Sequence, residues 1–239
     1  MRGVITFHAV DEGPAPLSYP PAGLERLLRI FSEHNVPVLS LENLLRPDCS
    51  SGVALTFDDG MASLHDAALP ILKAYGAPAH LFLTTSGVGK DNHWPGQPAG
   101  ASRYEMLSWK QVEALHAGGV RIEGHTATHP DLRPLNVDQI ASEMAVADDL
   151  IERHVGRRPR YFAYPYGFHG AAAREVASAT YDASFTTELA FLGRGPRERL
   201  PRLDSHYLRS PVLLSQLGGP AARMYIELRR AIRTLRNRQ

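Results

Sequence analysis

Val53-Ala54-Leu55-Thr56-Phe57-Asp58-Asp59-Gly60 is an apolar, β-prone run that stops abruptly at two adjacent carboxylates and a glycine. Strands of parallel α/β folds deliver functional loops at their C-terminal ends, so the pair stands where such folds build active sites. Two neighbouring carboxylates repel, and a shared proton or a metal ion is the usual means of holding both in one cleft. The competing reading is a turn in which Asp58 or Asp59 caps a helix starting near Ser63. Val120-Arg121-Ile122-Glu123-Gly124-His125-Thr126-Ala127-Thr128-His129-Pro130 repeats the pattern, a strand-like run that releases two histidines four positions apart. Pro130 biases His129 away from the right-handed α region, which places the pair on a tight turn. Two histidines and a carboxylate leave open positions on a zinc-like ion, the arrangement of a hydrolytic site.

Around these runs, strands and helices alternate. The pattern predicts strands at 4–7, 36–39, 79–83, 161–164, 183–186 and 200–203, the first releasing His8 at its end. Helices are predicted at 20–34, 41–45, 64–75 with an interruption at Pro70, 109–117, from Asn136 or Asp138 to 154, and 171–179. Leu24, Leu27, Leu28 and Phe31 form a core stripe, as do Ile140, Met144, Ala147 and Ile151. His80 shares a strand face with Phe82 in a period-two pattern and reads as structural. The expected fold is α/β, a distorted or incomplete (β/α) barrel of parallel strands with outer helices, in one domain over residues 1–239. Residues 86–103, rich in Gly and Pro, read as a substrate-facing loop whose Trp94 either stacks on a sugar or anchors packing.

Twenty-six basic and 25 acidic side chains leave a formal charge of +1, which gives no global drive toward nucleic acid or membrane. The single cysteine, Cys49, cannot form an intrachain disulfide, and neither a signal-like stretch nor a bilayer-spanning apolar run is present, so a cytoplasmic protein is expected. Residues 221–238 read as a basic amphipathic helix with Met224, Ile226, Leu228, Ile232 and Leu235 among Arg223, Arg229, Arg230, Arg233, Arg236 and Arg238; it either packs on the barrel with a solvated arginine face or lies on an anionic membrane, as a peripheral contact, or on a partner.

Thr56-Phe57-Asp58-Asp59-Gly60, His125-Thr126-Ala127-Thr128-His129 and Phe162-Ala163-Tyr164-Pro165-Tyr166-Gly167 follow one another as the first three motifs of the polysaccharide deacetylases do. The chain resembles that family, carbohydrate esterase family four, over most of its length. The resemblance implies a metal-dependent hydrolase that removes N-acetyl groups from an N-acetylated amino sugar in a polysaccharide, oligosaccharide or glycan precursor. It also implies one divalent ion, zinc first with cobalt or nickel as alternatives, on Asp59, His125 and His129, with Asp58 as the base. Spacing alone does not distinguish the two carboxylates. Tyr166 would offer a backbone N–H to the oxyanion, with Trp94, Tyr164 and Pro165 as carbohydrate contacts.

Two departures from the family pattern stand out. Many members carry a bracing arginine where this chain has Ala163; Arg202 is the first candidate to replace it and Arg160 the second. The late Leu-x-x-His motif has no clear copy either. Phe7-His8 is similar to the Tyr/Phe-His pair of the permuted poly-N-acetylglucosamine deacetylase subgroup, so His8 is placed ahead of His206 as the general acid. An amidase acting on a small non-sugar amide and a carbohydrate-binding pseudoenzyme are the alternatives.

Overall fold

A computed structural model describes residues 1–95, 97 and 100–236. Seven strands, β1 (Arg2–Phe7), β2 (Gly52–Asp59), β3 (Ala79–Leu83), β4 (Val120–Gly124), β5 (Tyr161–Ala163), β6 (Ala183–Leu189) and β7 (Leu200–Asp204), pair in chain order, all parallel. β1 meets β7 through Ile5↔Leu203 and Thr6↔Asp204, which closes the barrel. Seven strands instead of eight make it an incomplete version of the (β/α) barrel, as expected. Covered on both faces, the strands can be apolar throughout, and β2 is buried at all eight positions.

Period-two alternation divides the core. Val4, Ala54, Phe82, Tyr161, Ala163, Phe185 and Leu200 form one buried cluster inside the barrel. Ile5, Phe7, Leu55, Phe57 and Leu81 face the helices in a second. The helices are α1 (Pro21–Glu33), α2 (Leu41–Leu44), α3 (Leu69–Ala74), α4 (Trp109–Ala117), α5 (Val137–Val155), α6 (Ala171–Thr180), α7 (Pro211–Ser215) and α8 (Pro220–Arg236). The stripes of α1 and α5 are buried as their spacing requires. Asn136, not Asp138, caps α5, in a reciprocal pair with Gln139; Ser108 and Gln111 do the same for α4.

Three expectations change. Residues 36–39 make only a Val38↔Val53 bridge beside β2, because Pro37 has no N–H to offer a ladder. The helix expected at 64–75 begins as a π-helical turn, Leu64–Ala68, and Pro70 falls in the first turn of α3, where its missing N–H costs nothing. α7 went unpredicted. Arg238, at the expected end of the last helix, lies outside the described residues. No described helix is long and apolar enough to cross a membrane.

The barrel wall is thinnest between β4 and β5, whose ladder consists of Gly124↔Phe162 alone. Glu123, fully buried, compensates by accepting the backbone N–H groups of Arg160 and Tyr161 at 2.8 and 3.0 Å. Its other oxygen takes a hydrogen bond from His80 Nδ1 at 3.1 Å, while His80 Nε2 accepts the Leu41 N–H that opens α2. His80 is thus structural, as its alternation implied.

Asp148, on α5, is 0% exposed; Tyr181 donates its hydroxyl to one oxygen at 3.0 Å. Burial pushes its pKa up to about 7, with Tyr181 and Arg158 opposing. The protonated form suits the fold, so this group's contribution is full below the ordinary value of 3.8 and is lost as pH rises through about 7. Asp148→Asn is therefore expected to stabilise the protein by on the order of 2–4 kcal/mol at about pH 8 and by little at about pH 4. Denaturant unfolding at both values measures it, and a pH-independent difference would contradict the assignment.

Candidate active site

A regular strand would send Asp58 and Asp59 to opposite faces of the wall. Asp59 instead takes a φ of 71° and Gly60 one of 107°, so both carboxylates line the same cavity of about 420 Å³. A Cβ on Gly60 would lie 2.6 Å from Leu83, which with the positive φ requires glycine. Neither aspartate caps a helix, which removes the simple turn as an account of the pair.

β4 feeds the second half of the site through an equally bent turn. Thr126 and His129 have φ of 66° and 58°, and Thr126 Oγ1 accepts the His129 N–H at 3.1 Å. Glu143 of α5 clamps the turn, accepting the N–H groups of Ala127 and Thr128 at 3.1 and 2.9 Å and the Thr128 hydroxyl at 2.8 Å. Sequence reading passed over Glu143. Its signal was an acidic residue on the α5 face that also carries Ile140, Met144 and Ala147.

His125 Nδ1 donates to the Ala163 carbonyl at 2.7 Å, which fixes the proton on that nitrogen and leaves Nε2 with its lone pair in the neutral ring. That Nε2 lies 3.3 Å from Asp59 Oδ1, and His129 Nε2 lies 3.4 Å from the same oxygen. All three residues are buried, and their ligand atoms lie within 4.8 Å of one another. Neutral His125 brings no proton to its contact with Asp59. A cation between the three donors resolves the repulsion, so the set fits a metal ion. For His129 burial prevails over Asp59 and lowers the imidazole.

Asp58 has a different partner. Arg202, inward on β7 and 1% exposed, donates Nη1 to Asp58 Oδ1 at 2.7 Å and Nη2 to Oδ2 at 2.6 Å. Its Nε donates to the Thr186 carbonyl at 3.1 Å, and Nη1 also reaches Thr56 Oγ1 at 3.4 Å. Burial would raise Asp58, and the guanidinium more than reverses it. Arg160 is spent on Asp182 at the surface.

His8 leaves the end of β1, one residue beyond the Phe7↔Phe57 pair, and lines the cavity with Asp58 and Asp59. His206 lines a separate recess with Tyr207 and Tyr225. Trp94 is both anchor and wall: it packs with Ala9, Met61 and Met106, and its ring centroid is 4.6 Å from that of His129. Tyr166, at φ 58°, sets its ring 4.5 Å from that of His129 as well. Among the described residues, the Trp94 Nε1 and Tyr166 hydroxyl are both buried without a hydrogen-bond partner. Tyr164 lines the cavity and donates its hydroxyl to the Glu198 carbonyl at 2.8 Å, whereas Pro165 is buried beneath and is not among the lining residues. Gly167 presses against β6, where a Cβ would come within 2.7 Å of Thr187 N. Two loops complete the walls, one through residues 14–17 and one through residues 92, 94, 97, 100–102 and 104, and the Ser18 and Tyr104 hydroxyls tie them at 3.0 Å. Neither the first loop nor Thr187 was foreseen, because nothing in their local sequence marks a cavity wall.

A family model described as polysaccharide deacetylase matches residues 46–182. The chain is 30% identical over 192 residues to YxkH of Bacillus subtilis, a protein named for the same family, covering 77% of this chain and 64% of that one. It is 29% identical over 181 residues to the poly-β-1,6-N-acetyl-D-glucosamine N-deacetylase of Staphylococcus aureus, covering 70% of this chain and 60% of the other. It thus spans less than two thirds of the length of either relative. Among solved structures, the Streptococcus pyogenes deacetylase PplD superposes with a TM-score of 0.73 at 23% identity, over 84% of this chain and 90% of that one. IcaB from Ammonifex degensii gives 0.73 at 21%, over 90% and 97%. Identities this low support the shared fold.

Replacing Arg202 with Met is expected to destabilise the protein by about 3–5 kcal/mol, because it strands a buried carboxylate. Adding Asp58→Asn should recover most of the loss in denaturant unfolding. Equal stability of the single and double variants would show that the pair carries no such cost.

Proposed function

The chain belongs to the polysaccharide deacetylase family, and from that premise we propose that it is a metal-dependent hydrolase removing N-acetyl groups from an N-acetylated amino sugar in a polysaccharide, oligosaccharide or glycan precursor. The observation that carries this is the convergence of Asp59, His125 and His129, with His125 held in the ligating tautomer, beside a separately braced Asp58. The name of the staphylococcal relative supports an N-acetylglucosamine polymer as the substrate class. We take residues 1–239 as one catalytic unit, since every proposed participant sits on one barrel rim.

Asp59, His125 and His129 would hold the ion, zinc before cobalt or nickel for this donor set. Such an ion supplies Lewis acidity to the amide carbonyl and acidifies a nearby water enough for a weak base to take its proton. Asp58, kept ionised and aimed by Arg202, is that base. As the new C–O bond forms, charge gathers on the carbonyl oxygen, and the Tyr166 N–H, projected by its left-handed turn, is the donor assigned to it. His8 gives a proton to the amine as the C–N bond breaks, so acetate and a free amino sugar leave. Trp94 and Tyr164 supply apolar surface for the sugar, and Pro165 holds the turn from below.

The direct test is acetate release from N-acetylglucosamine oligomers, with zinc, cobalt or nickel added and with chelator. His125→Ala and His129→Ala should lose metal and activity together by elemental analysis, with the barrel still folded. Asp58→Asn should keep the metal and lose roughly two or more orders of magnitude in turnover. Loss of metal from Asp58→Asn would reverse the roles of the carboxylates. His8→Ala should retain metal while amide hydrolysis falls far more than hydrolysis of an activated ester, whose leaving group needs no proton. Equal losses on the two substrates would remove His8 as the acid.

A further inference from the structure

We infer that α8 is a peripheral docking element for an anionic lipid bilayer. Ala222 and Ile226, 1% exposed each, fix the face that α8 turns to the barrel. On the opposite side Met224, Leu228, Ala231 and Leu235 fall within one stripe at helical spacing, and Met224, Leu228 and Leu235 are 70%, 59% and 64% exposed. About three turns of apolar surface in water are unfavourable unless something covers them. The patch continues onto α7, where Val212 is 68% exposed and shares a recess with Ala221 and Tyr225.

Charge identifies the occupant. α8 carries five arginines and one glutamate, while the whole chain has 26 basic and 25 acidic residues, so the rest of the molecule is acidic. Arg230 and Arg233 pair with Glu188 and Asp204 and bind the helix to the ends of β6 and β7. Exposed Arg223 and Arg229 meet a carbonyl and a tyrosine hydroxyl and no carboxylate among the described residues. A second copy would set this positive surface against itself, which disfavours self-association through the stripe. Flexible Met and Leu side chains between arginines suit the headgroup boundary of a membrane, where long basic side chains reach outward to phosphates.

The position fits such a role. Arg230, Arg233 and Thr234 line a recess with Thr187, which also lines the catalytic cavity. A helix lying on the bilayer through its outer stripe would therefore hold the cavity rim close to the lipid surface.

The test is co-sedimentation of the full chain with phosphatidylcholine vesicles, alone or mixed with phosphatidylglycerol. Binding is expected to the mixed vesicles only and to fall as salt is raised. Met224→Glu with Leu228→Glu should weaken it at least about tenfold, and Arg223→Gln or Arg229→Gln about fivefold each, with unchanged circular dichroism and unchanged acetate release from soluble oligomers. The proposal is overturned if wild type stays in the supernatant with mixed vesicles, or if the double glutamate variant sediments as wild type does. It is overturned equally if light scattering shows a wild-type dimer that the double variant dissolves, which would make the stripe an interface between copies.

Discussion

A guanidinium and a carboxylate with almost no access to water are tolerable only as a matched pair, and here the pair joins strands that are not neighbours. Arg202 comes from β7 and Asp58 from β2, with β1 between them. The planar fork meets both carboxylate oxygens, and the remaining donors go to Thr186 and Thr56, so little hydrogen-bonding capacity is wasted. Remove the closure of β1 on β7 and the pair cannot form. Without the pair, two buried charges would oppose that closure. The small side chain of Ala163, in the interior cluster, belongs to the same arrangement: the arginine is supplied from another strand, and Ala163 contributes only its carbonyl, to His125.

The site is also where the backbone is least relaxed. Of the five non-glycine residues with positive φ among the described residues, Asp59, Thr126, His129 and Tyr166 all belong to it, and only Asn35 lies elsewhere. A β-branched threonine in that region is costly. The surroundings hold these conformations in place: Glu143 grips the turn between the histidines, and the turn of Tyr166 and Gly167 is wedged against Thr187. Such strain, spent on aiming side chains, marks a preorganised site.

Much of this was legible in the chain. Apolar runs ending in Asp-Asp and in paired histidines gave the strands and the rim, because strand ends in a parallel barrel converge whatever the sequence between them. The stripes of α1 and α5 were legible because burial of a helix face demands its spacing. What escaped notice depends on contacts distant in sequence or on short elements. Residues 36–39 look like a strand by composition but have one neighbour and no ladder. Glu123 resembles an exposed strand residue, yet it replaces missing sheet hydrogen bonds between β4 and β5. The loop through residues 14–17 becomes a cavity wall only because Tyr104 comes to meet Ser18.

The brace on Asp58 lies 144 residues downstream of it. During synthesis, most of the barrel emerges before the arginine that steadies this carboxylate exists. Closing so long a loop is entropically expensive and belongs late in folding, after local pairings are made. The braced carboxylate therefore arrives with the final seam, and an unfinished or truncated chain has the two aspartates but not the geometry that holds them.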